Sequence, residues 1–158
     1  MKRAVAAVAL MLWAALAQGF QAEVSHVTDG DTVWLRAAGR APIKLRLDGL
    51  DAPERCQRGG EQAREALRAR VLHRQVEVAT RAHDAHGRAI GTLQLEGADV
   101  GGWLVAQGHA WNARFRRHPG RYAAQEQAAR DARRGVFADA TPEPPRDFRR
   151  RHGPCQPA

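Results

Sequence analysis

Between Ile43 and Asp48 the chain alternates strictly: Ile43, Leu45 and Leu47 are apolar, while Lys44, Arg46 and Asp48 are charged. A period of two fits the pleat of a half-buried β-strand and does not fit a helix. Arg46 must then point away from the apolar face. The strand runs straight into Gly49-Leu50-Asp51-Ala52-Pro53-Glu54, where glycine allows a turn and Pro53 ends regular pairing. Two carboxylates, Asp51 and Glu54, are therefore delivered at a strand end beside an outward-facing arginine. Upstream, Asp29-Gly30-Asp31-Thr32 places a third, Asp31, at another strand end.

Shorter period-two runs surround this segment. Val24 to Val27 reads as a strand entering the Asp29-Gly30 turn, and Thr32 to Leu35 reads as the next one. Val76 and Val78 alternate with Gln75 and Glu77. Arg88 to Leu95 returns as a further strand after the Asp84-Ala85-His86-Gly87 turn. Glu61 to about His73 reads as a helix with Ala63, Ala66, Leu67 and Val71 on one side. Asp99 is a candidate N-cap for a short helix reaching Gln107 and ended by Gly108; Tyr122 to Arg134 is a third helix, stopped by Gly135. The class is α+β, mainly β. Five short strands with one helix between the third and fourth match a five-stranded OB-fold barrel with three helices, with a mixed sandwich as the other arrangement. Trp34, Trp103 and Trp111 are expected in the core. From residue 141 onward Pro142, Pro144 and Pro145 break regular structure, and Arg146 to Arg151 reads as a solvated, loosely packed tail.

The ends bear on where such a chain works. Lys2 and Arg3 precede an apolar run from Ala4 to Ala17, and Ala15-Leu16-Ala17 offers small residues for cleavage. Residues 1–17 thus read as a secretory signal, too short to span a bilayer comfortably. Its removal leaves one domain of 141 residues and lowers the formal charge from +8 to +6. Export to the periplasm or the medium is expected, with no stable membrane association afterwards and a monomer as the default. Lys2 and Lys44 are the only lysines, so the remaining positive charge is almost all arginine, whose planar fork suits phosphate. A polyanionic partner, nucleic acid first, follows from that balance. The two cysteines, Cys56 and Cys155, are expected to form a disulfide in an oxidising compartment. It would close a loop of about 100 residues, worth roughly 4–5 kcal/mol on the chain-entropy model, and tie the tail to the loop carrying Glu54.

Three carboxylates beside an arginine are what a phosphate-cleaving site with a hard cation requires: carboxylates hold the ion and activate water, and the guanidinium holds phosphate oxygens. Each block alone is weak. Asp29-Gly30 is a common turn dipeptide, and His83, Asp84 and His86 read as turn residues rather than metal ligands. Arg88, opening a strand after Gly87, means nothing in isolation.

Together, and in this order, they resemble the staphylococcal nuclease-like (thermonuclease) family over about residues 23–137. The marks are Asp29-Gly30-Asp31-Thr32, Arg46 to Glu54, Asp84-Ala85-His86-Gly87-Arg88, Leu104 to Ala110, and Ala129 to Gly135. The domain on this basis spans 23–140, followed by a Pro- and Arg-rich tail at 141–158. The resemblance implies an OB-fold endonuclease that uses Ca²⁺ to cut DNA and RNA and leaves 3′-phosphate ends. It implies Asp31 and Asp51 as carboxylate ligands, Ala52 as a backbone-carbonyl ligand, Glu54 as general base, and Arg46 and Arg88 as phosphate-binding catalytic groups. Two departures stand out. Ala52 replaces a threonine of the family pattern, which leaves a main-chain carbonyl intact. The family's base-stacking tyrosines have no match; His86 and Phe115 are the candidate base contacts, with Arg114, Arg116 and Arg117 as phosphate contacts. The competing reading is an exported OB-fold module that binds nucleic acid without cutting it. Such a module has no need of Asp31, Arg46, Asp51, Glu54 and Arg88 together.

Overall fold

A computed structural model describes residues 19–155; the expected signal segment lies outside the described residues. The chain forms β1 (Phe20–Asp29), β2 (Thr32–Arg36), β3 (Ile43–Leu47), β4 (Leu50–Asp51), α1 (Gly60–Val71), β5 (Gln75–His83), β6 (Ala89–Leu95) and β7 (Ala98–Asp99). There follow α2 (Val100–Ala106), β8 (Trp111–Asn112), α3 (Ala123–Asp131), a 3₁₀ turn at Gly135–Ala138, and α4 (Pro145–His152).

The main sheet runs β3-β2-β1-β5-β6-β7, and a parallel pairing of β3 with β6 brings its ends together. The strands β1, β2, β3, β5 and β6 thus close into the expected mixed barrel. Inward positions of β2 and β3, namely Val33, Leu35, Leu45 and Leu47, are fully buried or nearly so, as are Val76, Val78 and Leu93 across the barrel. Ala63, Leu67 and Val71, spaced by four, form the buried face of α1 over the barrel, whereas Ala66 is only half-buried.

The first strand is longer than the four-residue run in the sequence. Its register shifts between Val24 and His26 and again between Val27 and Asp29. These bulges move the buried positions from Ala22 and Val24 to Val27, a step of three that blurs the alternation. Of the three tryptophans expected in the core, Trp111 alone is buried, packed edge-on to Phe137 at 5.4 Å. Trp34 and Trp103 are half-buried and lie under the cations of Lys44 and Arg70. Trp34 sits between the inward Val33 and Leu35, so the pleat turns it outward.

Among the described residues four α-helices form rather than three. The added one, α4, occupies the segment expected to be a loose tail. Pro145 stands at its first turn, where the missing N–H has no partner to lose and the fixed φ favours a helix start. Pro144 and Pro145 thus start a helix, while Pro142 stays in irregular chain as expected.

Candidate active site

The site is assembled at the ends of β1, β3 and β4. Asp31 follows the β1–β2 turn, whose Asp31 N–H donates to Asp29 Oδ1 at 3.0 Å. A Cβ on Gly30 would fall 2.8 Å from both Ala52 Cβ and Ala63 Cβ. Only glycine lets this turn press against α1 and the β4 loop. That approach puts Asp31 beside Ala52, whose N–H donates to Asp31 Oδ2 at 3.4 Å, while Thr32 Oγ1 donates to Oδ1 at 2.8 Å.

Register supplies the arginine. Thr32 faces Arg46 across the β2–β3 ladder, so the outward guanidinium of Arg46 stands over the Asp31 end. Its Nη2 lies 3.3 Å from Asp31 Oδ2 and 3.1 Å from Asp51 Oδ1. Asp51 reaches that nitrogen because Gly49, at φ +81°, turns the chain back from β3, and because β4 pairs with β8. Two carboxylates from separate turns therefore converge on one nitrogen.

Burial dominates the electrostatics. Asp31 is 5 % exposed, and desolvation pushes its carboxyl up to about 7 in spite of Arg46. Burial lowers the affinity of Arg46 for its proton, but Asp31 and Asp51 outweigh that and hold the guanidinium charged.

Glu54, after Pro53, lines an open cleft of about 740 Å³ together with Asp31, Arg46, His86 and Arg88. Its backbone N–H donates to Gln57 Oε1 at 3.1 Å. Arg88 comes from the far side, at the start of β6. Asp84 orients it: Arg88 Nε donates to Asp84 Oδ2 at 2.7 Å, and the Arg88 N–H donates to Oδ1 at 3.0 Å. Desolvation raises the Asp84 carboxyl, yet the bonds from Arg88 prevail and bring it down to about 2.

The candidate base-contacting residues divide. His86 lines the cleft with the carboxylates. Arg114 lines an adjoining pocket of about 480 Å³ that also contains Arg46 and Asp51. Phe115, Arg116 and Arg117 stay outside both, on an exposed loop where Phe115 is 73 % exposed and Arg116 caps its ring at 5.4 Å.

Cys56 and Cys155 form the expected disulfide. It does more than anchor a solvated tail. It brings α4 against the cleft, and Arg149 enters the site: Nη1 donates to Glu54 Oε1 at 2.6 Å and Nη2 to Asp51 Oδ2 at 2.9 Å. Gln57 supports the same arrangement, since its Nε2 donates to the Glu143 carbonyl at 2.7 Å. Nothing in local pattern marks Arg149 or Gln57. The one available signal was the disulfide itself, which ties the arginine run to the Glu54 loop.

An oxygen-only set of Asp31, Asp51 and a neighbouring carbonyl suits a hard cation that keeps several waters. Among the described residues, no group of three or more His, Cys, Asp or Glu side chains forms a complete protein cage for a metal. Two carboxylates that converge on a single arginine nitrogen, one of them buried, fit an open cation site of that kind.

Residues 44–139 match the family model described as staphylococcal nuclease homologue. The chain is 35% identical over 165 residues to Protein ParB of Escherichia coli, covering 95% of this chain and 91% of that protein. It is 30% identical over 160 residues to the Micrococcal nuclease of Shigella flexneri, covering 94% of this chain and 91% of the relative. An Uncharacterized endonuclease of Haemophilus influenzae is 29% identical over 127 residues, covering 80% of this chain and 71% of that protein. A closed mixed barrel, acidic and basic groups gathered at one end of it, and this match over most of the chain identify the protein as a member of the staphylococcal nuclease family.

Proposed function

We propose that this family member is an exported, Ca²⁺-dependent endonuclease that hydrolyses phosphodiester bonds in DNA and RNA and leaves 3′-phosphate ends. The observation that carries the reading is the convergence of Asp31 and Asp51 on Arg46, with Glu54 and Arg88 on the same cleft. Asp31, Asp51 and the Ala52 carbonyl would hold the cation. When bound, it supplies positive charge that acidifies water and neutralises a phosphate oxygen.

The chain's own groups account for the rest. Glu54 accepts a proton from the attacking water at a carboxylate oxygen. Water oxygen bonds to phosphorus, the P–O5′ bond breaks, and the leaving oxygen takes a proton from solvent water to become a 5′-hydroxyl. Negative charge grows on the non-bridging oxygens as this happens. Arg46 and Arg88 are fixed by carboxylate partners before substrate arrives, so they stabilise that charge with little reorganisation. His86 at the cleft wall and Arg114 in the adjoining pocket are the proposed contacts to the flanking nucleotides. Phe115, Arg116 and Arg117 reach substrate only where it extends onto their loop. Export is supported by the disulfide, which persists in oxidising compartments; among the described residues no helix is long and apolar enough to cross a membrane.

The test is digestion of plasmid, single-stranded DNA and RNA by the oxidised mature protein, with Ca²⁺ and with chelator, beside Glu54→Gln. Cutting that needs Ca²⁺, fails in Glu54→Gln and leaves 3′-phosphate ends is the expected result. DNA binding without cutting under any divalent ion would turn the reading to a non-catalytic OB-fold module.

A further inference from the structure

Arg149 bridges two carboxylates that have different roles in the reading above. One guanidinium reaches Glu54 Oε1 at 2.6 Å through Nη1 and Asp51 Oδ2 at 2.9 Å through Nη2, with a longer bond from Nη1 to Asp51 Oδ1 at 3.3 Å. Its side chain is 39 % exposed, so water screens these pairs only in part.

The helix that carries Arg149 is held to the loop that carries Glu54. The Cys56–Cys155 disulfide joins them across 99 positions of sequence. Gln57, next to Cys56, donates to the Glu143 carbonyl just before α4 and accepts from the Glu54 N–H. Arg151, on the same helix, donates to Glu143 Oε1 at 2.9 Å. Arg149 is thus presented to Asp51 and Glu54 by a covalent strap and by bonds on either side of it.

Charge decides what this arrangement does. Ionised Asp31, Asp51 and Glu54 carry three negative charges, and Arg46 supplies one positive charge between Asp31 and Asp51. Arg88 is engaged by Asp84. Without Arg149 the set retains two negative charges, which a divalent cation matches. With Arg149 in contact, one of the two is already compensated, and oxygens of Asp51 and Glu54 are engaged as hydrogen-bond acceptors. A guanidinium and a divalent cation on the same carboxylates repel each other at short range.

We propose that Arg149 is a resident counter-ion of Asp51 and Glu54 that a divalent cation must displace, and that the Cys56–Cys155 strap strengthens its competition. The inference rests on the reading of Asp31 and Asp51 as a cation site. Metal-free protein is spared two adjacent uncompensated carboxylates, and cation binding is weakened by the work of moving Arg149 aside.

The experiment is calorimetric titration of Ca²⁺ alone, without nucleic acid, into metal-free oxidised protein, Arg149→Gln, Arg149→Lys and a Cys56→Ser/Cys155→Ser double variant. Arg149→Gln should bind Ca²⁺ roughly tenfold more tightly, the scale of one partly exposed charged bond. Arg149→Lys, which keeps the charge but loses the fork, should fall between it and the wild type. The double variant should also bind more tightly than wild type. In chelator, Arg149→Gln should melt below wild type, and Ca²⁺ should raise its melting temperature more. Equal or weaker Ca²⁺ affinity in Arg149→Gln overturns the proposal while leaving the cation site standing. If Arg149→Gln does not fold, wild-type affinity in both Arg149→Lys and the double variant overturns it instead. Failure of every protein, wild type included, to take up Ca²⁺ removes the cation site and this inference together.

Discussion

Asp31→Asn should stabilise the metal-free protein at pH 8 while abolishing its catalysis. Burial pushes the Asp31 carboxyl up to about 7, against an ordinary value of 3.8 in an unfolded chain. The folded state therefore binds this proton more tightly than the unfolded state does. The resulting stability is fully present below about pH 4 and is lost as pH rises through 7. A gap of about three pKa units corresponds to roughly 4 kcal/mol across that window, an upper bound for a group that shares its charge with Arg46. Asparagine has no charge to desolvate and avoids this loss. It forfeits the pairing with Arg46 Nη2 at 3.3 Å, although Arg46 keeps Asp51 at 3.1 Å. It still presents one acceptor to Thr32 Oγ1 or to the Ala52 N–H. The bound of roughly 4 kcal/mol already includes the attraction of Arg46, so only the donor left without an acceptor counts against it, at roughly 1–3 kcal/mol, and the net gain at pH 8 is about 1–3 kcal/mol.

The assay is urea unfolding in chelator, followed by far-UV circular dichroism, for wild type and Asp31→Asn at pH 4.5 and pH 8. Wild type should lose stability relative to the variant as pH rises. Saturating Ca²⁺ at pH 8 should reverse the order, since a ligand stabilises the protein that binds it. The reasoning fails if Asp31→Asn is the less stable protein at pH 8 in chelator, or if the difference between the two proteins does not change with pH.

Arg88→Ala should lower turnover by roughly 10²–10³ while shifting the urea midpoint little, because the Asp84 side chain keeps its bond from the residue-88 backbone N–H; an unfolded variant would instead make Arg88 structural. Glu126→Ala should destabilise the domain by roughly 2–3 kcal/mol, since Glu126 is buried and accepts from the Asn112 N–H at 2.8 Å and from Arg130 Nε at 2.8 Å. A loss well below 1 kcal/mol in urea would mean that water satisfies those donors. Raising salt from about 50 to 200 mM should weaken nucleic-acid binding steeply, as phosphate contacts release counterions; a flat response in a filter-binding titration would count against a polyanionic substrate.

How the site was legible depends on the range of the interactions that build it. Ile43 to Leu47 announced itself because one buried face imposes a period of two on neighbouring residues, and that alternation alone turned Arg46 outward. Asp31, Asp51 and Glu54 were visible because turns need glycine, aspartate and proline at short spacing. Residues 20–29 were harder to read, since two bulges break the alternation within one strand. Trp34 lies outward although its side-chain type is apolar, because the pleat between the inward Val33 and Leu35 turns it away from the core.

From the sequence alone came the five barrel strands, the charge of the chain, the paired cysteines and the residues proposed for the catalytic set, all of which rest on local pattern or on family motifs. Tertiary structure alone decided that β3 closes on β6, that Asp31 and Asp51 meet on one nitrogen of Arg46, and that Pro145 starts a helix carrying Arg149 to Glu54. Arg149 stands 95 positions from Glu54 in the chain. No local propensity encodes such a contact. It exists because the barrel brings the loops together and the disulfide holds the C-terminal helix against them.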